Sequence, residues 1–171
     1  MNTDKLFEDV IGAYEGFYNI VNGDEVAPFD ARGFMSNEAK QYFLVKAAKI
    51  ASVNSYEYVY FKKCQCITAG ELKKLDAAAW EDGLKRVKPD ADHKNTDVAL
   101  IIVADEVSGD VKQDINAYRH SASYLLGLHG FSNYRLVVIE TSTGDVLTNR
   151  RGRDLKDFVQ QIISRSGNDQ L

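Results

Sequence analysis

Apolar and aromatic residues recur at intervals of three and four along the first twenty residues of the chain, and this spacing places them on one side of a helix. Asn2 or Thr3 can cap its start, Asp4 suits the positive end of the helix dipole, and the polar stretch NGDE at 22–25 ends the pattern. Such a stripe can dock a partner, but it more commonly packs against the sheet of its own domain. The sequence therefore predicts an N-terminal helix whose inner face carries Leu6, Phe7, Val10, Ile11, Tyr14, Phe17, Tyr18 and Val21.

The same periodicity predicts three further helices. Thr68 and Glu71 have the spacing of a capping box, and Pro89 stops the helix that they begin. Ser108 can cap a shorter helix, and a final helix closes the chain. Their apolar faces are Leu72, Leu75, Ala79, Leu84 and Val87 in the first, Val111, Ile115 and Tyr118 in the second, and Leu155, Phe158, Val159, Ile162 and Ile163 in the last.

Other segments have the composition of strands. YEYVYF at 56–61 is rich in aromatic residues, and VALIIVA at 98–104 is apolar on both faces, so it predicts an interior strand covered on two sides. SYLLGLH at 123–129, YRLVVIE at 134–140 and DVLTN at 145–149 predict three more strands, the last two joined by the turn TSTG. The segment after Pro28 predicts a hairpin that turns between Ser36 and Glu38, although 39–50 is also compatible with a helix.

These elements predict an α+β fold with a mixed, mainly antiparallel sheet of about seven strands and with helices at both chain ends packed on it. A length of 171 residues with 44% hydrophobic residues suits one domain over 1–171, and folding at that size buries roughly 70% of the surface of the unfolded chain. Residues 1–3 and 165–171 are expected to fray.

Charge is unevenly distributed along the chain. The formal net charge is −4, which argues against sequence-independent binding of nucleic acid, since such binding needs a cationic surface. Residues 1–30 carry seven acidic side chains against Lys5, whereas 150–165 carry five basic side chains against two acidic ones. The two ends can attract each other, or the basic end can hold an anion.

Cysteine content and apolar runs predict a cytoplasmic protein. Cys64 and Cys66 are two residues apart, so they cannot build a disulfide framework, and ordinary packing or exposure at a sheet edge is a better interpretation of them than a metal site. The first residues lack the basic and apolar pattern of a secretion signal, and the longest apolar run is too short to cross a bilayer. We therefore expect no membrane partner and no cofactor.

Polar residues cluster where the last three predicted strands begin and end. If those strands are antiparallel neighbours, the end of the first, the start of the second and the end of the third share one rim of the sheet. The final helix starts close by, and its free N–H groups together with guanidinium groups favour a phosphate or carboxylate. Polar rims are also ordinary turn chemistry. The predicted anion-binding rim consists of His129, Asn133, Asn149, Arg150, Arg151 and Arg153.

A second set of candidate residues lies in PDADHKNTD, just before the buried strand. Asp92, His93 and Asp97, with His129, have the side-chain types of a divalent-metal site, and they motivate an alternative function as a metal-dependent hydrolase of the phosphodiesterase or nuclease type. No acid followed two residues later by lysine occurs on a later strand, as the nuclease pattern requires. His120 is explained by its place at the end of a helix, where a cation suits the dipole.

The segments GLHGFSNYRLVVIETSTG, TNRRGRDLK and DADHKNTDVALIIVADEV resemble a conserved bacterial family that has no assigned activity. The resemblance covers most of the chain and implies a cytosolic protein, but it brings no catalytic residues. The residues themselves favour a non-enzymatic or regulatory binding module, with a small anionic ligand and with a homodimer as one possible state.

Overall fold

The strands form one mixed, open sheet of seven strands within the described residues. The computed structural model describes residues 1–36 and 54–168. The strand order is β1-β2-β3-β4-β6-β5, and β7 pairs with β6. The strands are β1 Asn19–Asn22, β2 Ala31–Ser36, β3 Asn54–Ile67, β4 His93–Val107, β5 Ser121–Ser123, β6 Phe131–Glu140 and β7 Asp145–Thr148.

Parallel pairing occupies the centre of the sheet and antiparallel pairing its margins. The long strands β3, β4 and β6 run parallel to one another. The pairs β1–β2, β2–β3, β5–β6 and β6–β7 are antiparallel. The predicted α+β class and mixed sheet are thus confirmed.

Four helices cover the two faces of the sheet in the described residues. They are α1 Thr3–Glu15, α2 Ala69–Lys85, α3 Gly109–Asp114 and α4 Arg153–Asn168. Helices α2 and α3 pack on the face that carries Leu100 and Leu136. Helices α1 and α4 pack on the opposite face, which carries Ile101 and Val137. Strand β4 is apolar on both sides because helices cover both faces of the sheet.

Local signals placed two helix starts correctly. The Asn2 side chain accepts the Lys5 N–H at 2.8 Å. Thr68 and Glu71 form the predicted capping box at the start of α2. Helix α4 continues to Asn168, although the sequence predicts fraying from residue 165. Buried Ser166 donates to Asp9 of α1, and this contact ties the two terminal helices together.

The N-terminal helix is shorter than its apolar pattern predicts. It ends at Glu15, and 19–21, which fall within the predicted helix, instead lie in the edge strand β1. Ile20 and Val21 pair with Gly33 and Arg32 of β2. Phe17, in the turn between helix and strand, is 69% exposed. The predicted helix was therefore too long, because Phe17, Tyr18 and Val21 continue the helical spacing by chance through the turn and into β1.

The predicted strand at 123–129 is wrong. Strand β5 lies earlier, at Ser121–Ser123, and Leu125–Gly127 form a short 3-10 turn. Leu125 and Leu126 both have positive φ angles, 45° and 54°, a conformation that opposes an extended strand. Strand β6 also begins three residues earlier than predicted, at Phe131.

Two predictions fall on undescribed parts of the chain. The proposed turn between Ser36 and Glu38 and the alternative helix at 39–50 lie at or beyond the end of the first described segment. Within the described residues, no helix combines the length and the apolar character that a membrane crossing requires.

Candidate functional site

A cleft opens on the edge of β6, between the two short strands that share that edge. Strand β5 pairs with residues 131–133 of β6, and β7 pairs with residues 137–140. In the gap, the Tyr134 N–H donates to the His120 carbonyl at 3.2 Å. The cleft has a volume of about 610 Å³. Its lining residues come from the start of β5 and the end of β7: Arg119, His120, Ser121, Asn149, Arg150 and Arg151.

Asn149 holds the two walls of the cleft together. Its side-chain oxygen accepts the N–H groups of Leu136 at 3.1 Å and Gly152 at 2.7 Å. Its side-chain nitrogen donates to the carbonyl groups of Tyr118 at 2.7 Å and Tyr134 at 3.4 Å. All of these partners are backbone groups, and the side chain is buried. Asn149 is therefore a scaffold residue of the cleft, with little capacity left for a ligand.

Gly152 lets the loop after β7 lie directly on β6. A Cβ atom at this position would come within 2.3 Å of the Leu136 carbonyl oxygen. Only glycine permits this approach, because real Cβ atoms do not come so close to backbone atoms. The glycine and Asn149 together fix the path of the chain that presents Arg150 and Arg151 to the cleft.

Asp76 and His120 form a hydrogen-bonded pair in the wall of the cleft. Asp76, on α2, is buried, and its Oδ2 lies 2.7 Å from Nε2 of His120. The Trp80 ring stacks on the imidazole, with the ring centroids 5.2 Å apart and the planes at 15°. Tyr134 contacts the imidazole edge-on at 5.0 Å. Two aromatic rings and a carboxylate therefore fix the orientation of His120.

Only one nitrogen of the His120 ring is engaged. Within the described residues, Nδ1 has no hydrogen-bond partner, and the His120 side chain is 30% exposed. A carboxylate only accepts hydrogen bonds, so Nε2 carries a hydrogen and donates the bond to Asp76. Nδ1 is thus available to a ligand or to solvent.

Two buried polar atoms lie behind this pair without partners. In the described part of the chain, neither Oδ1 of Asp76 nor the Tyr134 hydroxyl completes a hydrogen bond. Burial raises the pKa of Tyr134 well above its usual value, and the negative charge of Asp76 raises it further. Unpaired buried polar atoms are rare in proteins, and here the two atoms belong to neighbouring groups, since the Asp76 carboxylate itself raises the pKa of Tyr134.

The arginines of the cleft lack acidic partners. Across residues 1–36 and 54–168, the side chains of Arg119, Arg150 and Arg151 make no ion pair or hydrogen bond, and all three are exposed. Arg86 differs, since it binds Asp82 with two nitrogens. Three arginines without an acidic partner among the described residues therefore surround one cleft.

A second polar cluster lies on the opposite face of the sheet and is centred on Arg135. Its guanidinium contacts Asp97 at 2.7 Å, Glu57 at 3.3 Å and Asp154 at 3.3 Å. Tyr18 donates to Glu57 at 2.8 Å. Burial raises the pKa of Glu57, although Arg135 and the Tyr18 hydroxyl oppose this effect. This Arg135 cluster connects β3, β4 and β6 to the first turn of α4.

The structure places the residues of the predicted anion-binding rim in several separate locations. Asn149, Arg150 and Arg151 line the cleft, but Arg153 begins α4 and is not one of the lining residues. The His129 carbonyl lies 2.7 Å from Nδ1 of His93, in the loop before β6. Asn133 donates to Asp97 at 3.4 Å, on the Arg135 side of the sheet. The division arises because β7 is short and ends beside Val137, in the middle of β6.

The alternative metal site is not assembled. His93 is buried and uses both ring nitrogens, on the His129 carbonyl and on the Thr96 hydroxyl at 2.9 Å. Asp97 is engaged by Arg135, on the opposite face, and Asp92 is exposed. No group of three or more His, Cys, Asp or Glu side chains in the described segments is placed to hold a metal ion.

Sequence reasoning missed Asp76, Arg119 and the role of His120. The available signal was an acidic residue on an apolar helix face, since Asp76 lies between Leu72 and Ala79 in the buried stripe of α2. A buried carboxylate requires a polar partner, and no neighbour within the helix supplies one. The partner is His120, 44 residues away, whose position could not be read from local spacing.

The fold and the cleft define an α+β protein with a mixed sheet, helices on both faces and a basic cleft at one sheet edge. The chain belongs to a family described as a domain of unknown function (DUF8052), whose model matches residues 2–161. No curated protein matches the chain, and no solved structure matches it.

Proposed function

We propose that this protein is a binding module for a small anion, and that the ligand occupies the cleft between β5 and β7. The observation that carries the proposal is the set of three arginines around that cleft that have no acidic partner in the described part of the chain. Guanidinium groups bind phosphate and carboxylate through paired hydrogen bonds, and they remain charged at any physiological pH. A ligand with phosphate or carboxylate groups supplies the missing negative charge.

The size and rigidity of the cleft suit a small molecule. A volume of about 610 Å³ lies within the range of about 300–1,000 Å³ typical of ligand pockets. Asn149 and Gly152 fix one wall, and the Asp76–His120 pair fixes the other. A preorganised site loses less conformational entropy when the ligand binds.

We also propose a cytoplasmic location for this activity. Cys64 and Cys66 are free thiols, and Cys66 is exposed. An exposed free thiol is better suited to a reducing compartment than to an oxidising one.

The test is a thermal-shift and calorimetric titration with inorganic phosphate and citrate. A ligand at one hundred times its Kd is expected to raise Tm by roughly 5–10 °C for a chain of this size. Arg150→Gln together with Arg151→Gln is expected to remove most of this shift, and Arg119→Gln to reduce it. Arg153→Gln is the matched control, because Arg153 is an exposed arginine two residues beyond Arg151 and outside the lining.

Two results would overturn the proposal. One is a shift that survives the loss of both Arg150 and Arg151. The other is an equal loss of shift in Arg153→Gln, which would mean that net charge alone attracts the anion. Circular dichroism of each variant establishes that it is folded.

A further inference from the structure

We propose that His120 is a nucleophile that accepts a phosphoryl group on Nδ1 from an acyl phosphate or a related phosphoryl donor bound in the cleft. The inference rests on the proposed anion-binding function, because the arginines must first hold the phosphoryl group. It adds a covalent reaction and a named acceptor atom to that function.

The orientation of the imidazole is the first argument. Nε2 bonds to the buried carboxylate of Asp76 at 2.7 Å, so in the neutral imidazole the proton lies on Nε2 and the lone pair lies on Nδ1. Within the described residues, Nδ1 is without a protein partner. A neutral imidazole held in one tautomer presents its lone pair as a nucleophile, and the group that orients it also stabilises the positive charge that the attack creates.

A comparison with His93 makes the assignment specific. His93 lies buried between Tyr56 and Tyr124, and both of its ring nitrogens are engaged. It has no lone pair to offer. His120 is also held between aromatic rings, but it lines an open cleft, and one of its nitrogens bonds to none of the described residues.

The charge around the cleft is the second argument. A phosphoryl group in transfer spreads negative charge over its oxygens, and fixed cations near those oxygens stabilise the transition state. Arg119 directly precedes His120 in the chain, and Arg150 and Arg151 lie on the facing wall. The Trp80 ring stacked on the imidazole favours the cationic ring of the product.

The phosphoryl transfer requires neither a metal nor an external base. The Nδ1 lone pair forms the N–P bond, and the bond between phosphorus and the acyl oxygen breaks. The carboxylate leaves with that electron pair, so it needs no proton. The Nε2 proton stays in its hydrogen bond to Asp76.

The experiment uses the full chain and acetyl phosphate. The expected result is an acid-labile, alkali-stable addition of one phosphoryl group in the intact mass spectrum, located on His120 by fragmentation under neutral conditions. His120→Gln is expected to abolish it. Asp76→Asn is expected to slow it at least tenfold while the neighbouring rings still hold the imidazole.

His129→Gln and Arg153→Gln are the controls, and each is expected to leave the rate unchanged. Arg150→Gln with Arg151→Gln is expected to slow the reaction. The inference is overturned if the modification maps equally to His129, if it is an acid-stable ester on Ser121, or if no modification forms. Phosphate binding measured by thermal shift distinguishes the two proposals. Phosphate binding without phosphorylation would contradict the role of His120 as a nucleophile and would leave the proposed anion-binding function standing.

Discussion

The side-chain amide of Asn149 donates to the backbone carbonyl of Tyr118 at 2.7 Å, and this bond joins the loop after β7 to the loop before β5. The same side chain satisfies three other backbone groups. One buried residue therefore sets the distance between the two walls of the cleft.

Asn149→Ala is expected to destabilise the protein by about 3 kcal/mol, because it leaves several buried backbone groups without partners. That loss corresponds to a fall in Tm of roughly 6–12 °C for a chain of this length. Urea denaturation measures it. Exposed Arg150→Ala is the neighbouring control, with an expected change below about 0.5 kcal/mol. A loss under about 1 kcal/mol in Asn149→Ala would show that the asparagine is not the link between the walls.

Two glycine-to-alanine substitutions are expected to have opposite effects. Gly152→Ala places a Cβ atom 2.3 Å from the Leu136 carbonyl oxygen, and the resulting displacement is expected to cost about 2 kcal/mol or more. Gly12→Ala lies on the exposed side of α1 with no atom within 4 Å of the added Cβ, and it is expected to stabilise by about 0.5–1 kcal/mol. Chemical denaturation compares the two variants, and destabilisation by both would contradict the geometric argument.

The protein is expected to be more stable with glycine in place of Leu126. Its side chain is 100% exposed and its φ is 54°, a left-handed conformation that costs an L-residue roughly 1–2 kcal/mol. Leu126→Gly is expected to stabilise by about 0.5–1 kcal/mol, since no packing is lost. Leu128 is also exposed but has a φ of −67°, so Leu128→Gly is expected to destabilise by a similar amount. Equal effects of the two changes on Tm would argue against strain in this loop.

The Arg135 cluster is expected to make stability depend on pH. Burial raises the pKa of Glu57 in the folded state, whereas the pKa of the unfolded side chain is about 4.3. The folded protein then binds more protons than the unfolded one, so the contribution of Glu57 to stability falls as pH rises above the unfolded pKa. Glu57→Gln removes this titration. The free energy of unfolding of the variant relative to the wild type is therefore expected to increase from acidic to neutral pH.

Urea unfolding of the wild type and Glu57→Gln at pH values from about 4 to 8 measures this difference. The free energy of unfolding of the variant, relative to the wild type, is expected to increase with pH. Parallel curves would mean that Arg135 and Tyr18 fully offset the burial of the Glu57 carboxylate.

Local patterns in the sequence predicted most of the helices and the central strand. Thr68 with Glu71 and the apolar run at 98–104 each depend on interactions within a few residues, or on burial that composition reveals. The strand at 123–129 was mispredicted because apolar side chains suggested pairing, whereas Leu125 and Leu126 take left-handed backbone conformations and leave their side chains in solvent.

The candidate site was less predictable because it depends on strand lengths. Arg150 and Arg151 were identified from charge, but their partner across the cleft was expected to be His129. Strand β7 ends beside Val137 and β5 begins opposite Asn133, so the chain brings His120 to the arginines instead. A shift of a few residues in the strand ends decides whether His129 or His120 lies beside the arginines. No local pattern in the sequence fixes those ends.

The division of one β6 edge between two short strands has a dynamic consequence. Strand β5 is outermost and is paired through three residues only, so few hydrogen bonds hold it to the sheet. Its detachment would free 121–123, whereas His120 stays in place through its bonds to Asp76 and to the Tyr134 N–H. The cleft therefore has fixed walls and a loosely held strand at its margin, and an occupant that contacts Ser121 would slow amide exchange at 121–123 far more than anywhere in β4.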